Sequence, residues 1–147
     1  MKIETKYLGQ VEIAEEQLVT FTDGMPGFPD EKKLALLPLA ENSPFVVLQS
    51  TQHAQICFVM ADPFSIKSDY AFDIAKQDIE ALEIEKPEDA ITYSIVTLRE
   101  RLEKSTINLL APVVINCRMN KGRQIVLHDS NLYPLHYPLK FIKEGAK

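Results

Sequence analysis

The chain has 147 residues, of which 46% are hydrophobic and 25% charged, with a formal net charge of −5 at pH 7. That length suits one domain, and that apolar share excludes a disordered chain: a domain of this size buries roughly 68–70% of its unfolded surface without disulfide or metal staples. No stretch reaches the ~18 unbroken apolar residues of a membrane span, and "MKIETKYLGQVEI" lacks the apolar run of a signal peptide, so a soluble cytoplasmic protein is expected.

The first third reads as strands. "KIETKYLG" alternates Ile3, Thr5 and Tyr7 with Lys2, Glu4 and Lys6, the period of a half-buried strand, and Gly9-Gln10 turns it into "VEIA". "QLVTF" leads into "FTDGMPGFPD", residues 21–30, where glycines, prolines and aspartates surround Phe21, Met25 and Phe28. Such dense turn chemistry marks a corner. Gly24 or Gly27 is expected at positive φ, with Met25 and Phe28 exposed.

"KLALLPLA" and "PFVVLQS" are short apolar runs bounded by turn residues. "AQICFVMADP" reads as a strand buried on both faces and stopped by Asp62-Pro63. In "FDIAKQDIEALEIEKPED", Ile74, Ile79 and Leu82 recur near the helical period within a body of Ala, Glu, Gln and Lys. This predicts a short helix over residues 75–82, with Pro87 ending the segment.

"AITYSIVTL" returns to β, and "RERLEKS" breaks the pattern with charge. "LAPVVINCRM" and "RQIVLHD" flank "NKG" as a hairpin, with Asn120 and Gly122 able to take φ > 0. "NLYPLHYPLK" is too broken by proline for a central strand and reads as an edge or extended tail, the last ~7 residues being flexible. The sum is mainly β: a compact domain spanning residues 1–147, a barrel or sandwich with one short helix.

Charge is uneven. Residues 69–89 carry eight acids against Lys76 and Lys86, a balance of −6, whereas residues 118–147 carry a balance of +4. An acidic middle would be repelled by phosphates and suits a basic protein partner better than direct nucleic-acid contact. Cys57 and Cys117 lie in apolar runs, where cysteine acts as a small hydrophobe. There is no phosphate-cradling glycine loop, no nucleophile elbow and no metal-ligand spacing. In "LHDS", the neighbours His128, Asp129 and Ser130 alternate faces of a strand and form no triad by adjacency. By elimination, no catalytic, cofactor or metal residue is assigned, and a binding protein is expected.

The blocks "FTDGMPGFPD", "PFVVLQS", "FVMADPF" and "NLLAPVVINCRMNKGRQIVL", in this order over residues 3–137, resemble the FliW family of flagellar assembly factors. The resemblance implies a small, cytoplasmic, barrel-like protein with no enzymatic activity. It also implies two partners: flagellin, and CsrA, a small RNA-binding repressor of translation. Flagellin occupies the family member while it is abundant; once flagellin is exported, the released protein binds CsrA and lifts repression of the flagellin message. With that implication, Asp69, Asp73, Asp78, Glu80 and Glu83 become candidates for contact with CsrA, acting by repulsion of RNA or by conformational bias. Met25, Phe28, Phe64 and Tyr70 are candidates for flagellin. Two other classes stay in view: a barrel holding a small ligand, and a hydrolase built on His128 or His53.

Overall fold

The computed structural model describes residues 1–25, 27–101, 104–127 and 133–139. It opens with a hairpin of β1 (Lys2–Glu4) and β2 (Gln10–Glu12), registered Ile3↔Val11, with Gly9 at φ 69° in the turn. A 3-10 turn, Glu15–Gln17, leads to β3 (Leu18–Thr20). β4 (Lys33–Pro38), β5 (Phe45–Ser50) and β6 (Cys57–Ala61) then form an antiparallel meander, each strand paired with the one before.

Two short helices, α1 (Pro63–Ile66) and α2 (Lys76–Leu82), precede β7 (Ala90–Thr97). The chain continues through β8 (Thr106–Ile107), β9 (Val113–Asn116), β10 (Lys121–Gln124) and β11 (Tyr137–Pro138).

The strand order resolves barrel against sandwich. β3, β4, β5, β6, β7, β9 and β10 are neighbours in a ring, because β7 pairs with β9 from Ala90↔Asn116 to Tyr93↔Val113 and β10 returns to β3. That last link is the slightest: one parallel register, Lys121↔Thr20, reinforced by the Thr20 N–H donating to the Asn120 carbonyl at 2.8 Å. β8 and β11 extend the sheet beyond β7 as short edge strands, with prolines 134 and 138 where an edge tolerates them.

Alternation along each strand separates two cores. Inside the ring lie Val19, Leu34, Leu48, Met60, Val113 and Ile115, joined by Phe21 and Met25 from the corner after β3. The opposite faces of the same strands, through Ala35, Leu37, Val47, Val59 and Val96, form an outer core. Ile3 and Ile13, Ile66 and Tyr70, and Ile107 and Leu139 cover it. A third cluster, Leu82 with Val114 and Ile125, seats α2 on the outside of β9 and β10.

Three local expectations are corrected. The hairpin turn is residues 117–120, not "NKG": Lys121 already pairs with Asn116, and of the two residues able to take positive φ only Asn120 does, at 54°. Gly122 sits within β10, where the Phe21 ring occupies the space of a side chain. Second, α2 ends before Pro87, at Glu83, which takes the left-handed conformation (φ 56°) and returns its N–H to the helix; Pro87 instead opens a 3-10 turn, Pro87–Asp89. Third, Asp62-Pro63 does more than stop β6. The Asp62 carboxylate accepts the Phe64 N–H at 2.9 Å and caps α1, with proline at the first helical position.

Candidate functional site

The corner at residues 21–30 has two sides. Gly24 and Gly27 both have positive φ, 66° and 85°. The N–H groups of Met25 and Phe28 each donate to the other's carbonyl, at 3.1 and 2.7 Å, and the Glu31 N–H donates to Phe28. This closed turn points Met25 into the barrel, where it is 1% exposed, and leaves Phe28 40% exposed, edge-on to Phe58 with ring centroids 5.6 Å apart. The expectation that the corner exposes Met25 is therefore corrected. Met25 fills the core that a one-turn loop cannot otherwise close.

Tyr70 is also buried. Its hydroxyl donates to the Leu109 carbonyl at 2.7 Å, and its ring touches Phe64, Phe72 and Tyr133 at centroid distances of 5.5, 5.5 and 4.9 Å. Burial pushes its hydroxyl pKa well above the usual tyrosine range. Tyr70 is a post beneath the surface, not a contact on it. Phe64 lies over it and is 43% exposed.

The acidic stretch and the basic end of the sequence meet in space. Arg118, in the turn between β9 and β10, reaches Glu85 at 3.1 Å and Asp89 at 3.4 Å, and donates to the Glu83 carbonyl at 2.9 Å. Lys121 pairs with Glu83, and Arg123 with Asp78 at 3.4 Å and Asp23 at 3.5 Å. On the far side, Lys67 holds Asp69 at 2.6 Å. These three cations and Lys67 together bring the local balance from −6 to −2.

The pKa directions follow. Hydrogen bonds from the Glu85 and Lys86 N–H groups, then the Arg118 charge, hold Asp89 below the usual carboxylate range. Lys121 does the same for Glu83, and Lys67 for Asp69.

The five candidate acids accordingly separate. Asp78 is buried and committed to Arg123; Asp69 and Glu83 are exposed but paired. Asp73 and Glu80 are exposed and make no ion pair among the described residues.

A residue the sequence reading missed organises this face. Asn116 is fully buried; its amide donates to the Leu82 and Glu83 carbonyls at 2.7 and 3.1 Å, and its oxygen accepts the Arg118 and Met119 N–H groups at 2.9 and 3.2 Å. All four of its hydrogen-bonding opportunities are used to lock the end of α2 to the hairpin. An asparagine closing a strand before a turn was the signal.

Beside the clasp lies an apolar groove of about 740 Å³ between α1, residues 70–74, α2, residues 84–87 and β7. Phe64, Phe72, Ile74, Ile79 and Ile84 line it, with Asp73, Glu85 and Lys86 among its walls. It gathers Phe64, Tyr70 and Asp73 from the candidate residues; Phe28 belongs to a different surface.

The other candidate chemistry resolves into structural roles. His53 Nδ1 stands 2.8 Å from the buried Glu31 carboxylate, tying the corner to the β5–β6 turn. Partial burial raises both thiols, Cys57 to about 11; Cys117, expected as a small hydrophobe, is instead exposed in the turn after β9. His128, Asp129 and Ser130, like the expected flexible tail, lie outside the described residues. Among the described residues, no group of three His, Cys, Asp or Glu is placed to hold a metal ion, and no helix is long and apolar enough to cross a membrane.

Fold and surface together define a class: a small closed β-barrel with a clasped acidic face and an open apolar groove beside it. The family model described as "FliW protein" matches residues 2–139. The flagellar assembly factor FliW of Bacillus licheniformis is 49% identical over 131 residues, covering 89% of this chain and 92% of that protein. FliW of Bacillus subtilis is 43% identical over 139 residues, covering 95% of this chain and 96% of that protein. A solved structure, described as the crystal structure of the flagellar assembly factor FliW, superposes with a TM-score of 0.86 at 38% identity, over 95% of this chain and 96% of its own. The chain belongs to the FliW family of flagellar assembly factors, which are not enzymes.

Proposed function

We propose that this protein is a cytoplasmic partner switch coupling flagellin synthesis to flagellin export. It binds flagellin while the subunit is abundant and CsrA once flagellin has left, relieving repression of the flagellin message without touching nucleic acid itself. The observation that carries this reading is family membership along nearly the whole chain, joined to a face that stays acidic, at −2, after its internal cations are counted.

Of the candidate acids, Asp73 and Glu80 are the ones a basic partner meets without breaking an existing pair. Asp69 and Glu83 engage it only by exchanging their lysines, and Asp78 contributes through Arg123. For flagellin, Phe28 and Phe64 are the candidates on the surface, Phe28 on a closed, hydrogen-bonded turn. Rigid exposed aromatics suit interface anchors because little side-chain freedom is lost on binding. A small-ligand barrel is the weaker reading, since side chains such as Leu34, Leu48 and Met60, each fully buried, fill the interior.

The test is a pull-down from the cytosol of a flagellated bacterium with this protein as bait. Flagellin and CsrA recovered in mutually exclusive complexes support the switch; recovery of neither overturns it.

A further inference from the structure

We propose that the groove between α1, α2 and β7 seats the basic partner, and that apolar side chains of a segment flanked by Lys or Arg fill it. This rests on the partner-switch reading and assigns its contact. The groove carries two large apolar side chains on the protein surface, Phe64 at 43% and Ile79 at 36% exposure, on two different helices facing one hollow. Its volume, about 740 Å³, has room for several side chains.

Local charge selects the occupant. Asp73 is on the wall, Glu80 is the next residue to Ile79 on α2, and Lys86 is the opposing cation on the lining. Lys67 is engaged with Asp69, Arg118 with Glu85 and Asp89, and Lys121 with Glu83, whereas Lys76, at the start of α2, and Glu88 are exposed and make no ion pair among the described residues. Around the groove unpaired Asp73, Glu80 and Glu88 outnumber unpaired Lys76 and Lys86, so an apolar segment with cationic flanks meets a net acidic rim, whereas an acidic one meets net repulsion.

The clasp also divides the labour. With several acids of this stretch already paired, Coulomb attraction is left to steer the encounter, and burial against Phe64 and Ile79 holds the complex. Those two contributions have different signatures. Removing apolar anchors lowers affinity at every salt concentration, whereas removing rim charges flattens the salt dependence.

Titration calorimetry with purified CsrA across a salt series separates them, using unsubstituted protein, the Phe64→Ser/Ile79→Ser variant and the Asp73→Asn/Glu80→Gln variant. Both pairs are surface positions, and thermal unfolding of each variant checks that the barrel is intact. The groove assignment expects at least tenfold weaker binding for the first variant with an unchanged salt slope. For the second it expects a smaller loss with a shallower slope. Groove substitutions that leave CsrA affinity intact, or that abolish flagellin binding while sparing CsrA, overturn the groove assignment alone. Absence of CsrA binding by the unsubstituted protein overturns the partner reading, and the groove assignment with it.

Discussion

The far end of the Phe21 ring fills the space that a side chain at position 122 would occupy: a Cβ built on Gly122 would stand 2.4 Å from the Phe21 Cζ. Phe21 is fully buried, and the two residues flank the single register by which β10 closes onto β3. The glycine is thus required for space at the barrel seam, not for an unusual backbone angle.

Gly122→Ala consequently overpacks the seam. Forcing extra atoms into a filled core costs about 1–3 kcal/mol, and for a domain of this size each kcal/mol lowers Tm by about 2–4 °C. Urea unfolding of Gly122→Ala, Phe21→Leu and the double variant checks the cause. The smaller Leu makes room, so the double variant is expected to be less destabilised than the sum of the two single changes, a coupling of about 0.5–3 kcal/mol.

The two corner glycines are expected to respond differently, although both have left-handed φ. At Gly27 a Cβ meets nothing within 4 Å, so Gly27→Ala incurs only the left-handed strain, about 1–2 kcal/mol. At Gly24 a Cβ falls 2.5 Å from the Pro29 carbonyl oxygen and 2.6 Å from that of Phe28, so backbone itself has to move. Gly24→Ala is expected to unfold at clearly lower denaturant than Gly27→Ala. Equal midpoints would remove the close approach as the reason.

Met25→Ala and Phe28→Ala test the two sides of the same turn. Met25 is buried in the inner core, where truncation costs about 2–5 kcal/mol. Phe28 gives up one edge-on aromatic contact with Phe58 and part of its buried area, and its loss should lie below that range. Calorimetric scans of the two variants order them directly.

These cases show what was legible in the sequence. The strands were readable because period 2 survives burial: Leu34 and Leu36 face one core while Ala35 and Leu37 face the other. The short helix was readable because α2 lies on the surface and keeps an apolar stripe. Turn placement was not, because "NKG" offers two residues suited to positive φ and only the distant Phe21 decides which one serves a turn. Nor did an acidic run in sequence translate into an acidic patch. The cations that clasp it come from residues 118, 121 and 123, and no local pattern announces a pairing across more than thirty residues. Met25 and Tyr70 read as surface residues because they sit beside turns, whereas Met25 fills the inner core and Tyr70 the outer one.

Acid should loosen the clasp. Asp89 and Glu83 have folded-state pKa values below those of an unfolded chain, about 3.9 for Asp and 4.3 for Glu. The stability they contribute is fully present above those unfolded values and is lost as pH falls through the lower folded ones. Unfolding free energy is therefore expected to be flat from about pH 7 to pH 5 and to decline below about pH 4. Asp89→Asn, which weakens the bonds to the Glu85 and Lys86 N–H groups and the Arg118 pair, should be less stable at neutral pH and show a shallower decline in acid. A variant as stable as the parent at pH 7 would show that this carboxylate does not hold the clasp.

Asp78 and Asp73 lie five positions apart in one acidic stretch and have opposite expected behaviour. The Asp78 side chain is 9% exposed, and Arg123 Nε stands 3.4 Å away. Arg123 also reaches Asp23 in the corner at 3.5 Å, so this guanidinium joins α2, β10 and the loop after β3. Removing it by Arg123→Ala leaves a buried carboxylate without its partner, and an unsatisfied buried polar group costs about 1–3 kcal/mol. Asp78→Asn keeps the shape and loses the charge, and should cost less than Arg123→Ala. Asp73→Asn, at an exposed position with no ion pair among the described residues, should leave the unfolding midpoint within about 0.5 kcal/mol of the parent. Urea titration of the three variants orders them as Arg123→Ala, Asp78→Asn, Asp73→Asn from most to least destabilised. If Asp73→Asn were the most damaging, Asp73 would have to carry a structural load and the clasp would be misassigned. If the order holds, a binding defect in an Asp78 variant reports the scaffold, and a defect in an Asp73 variant reports the surface.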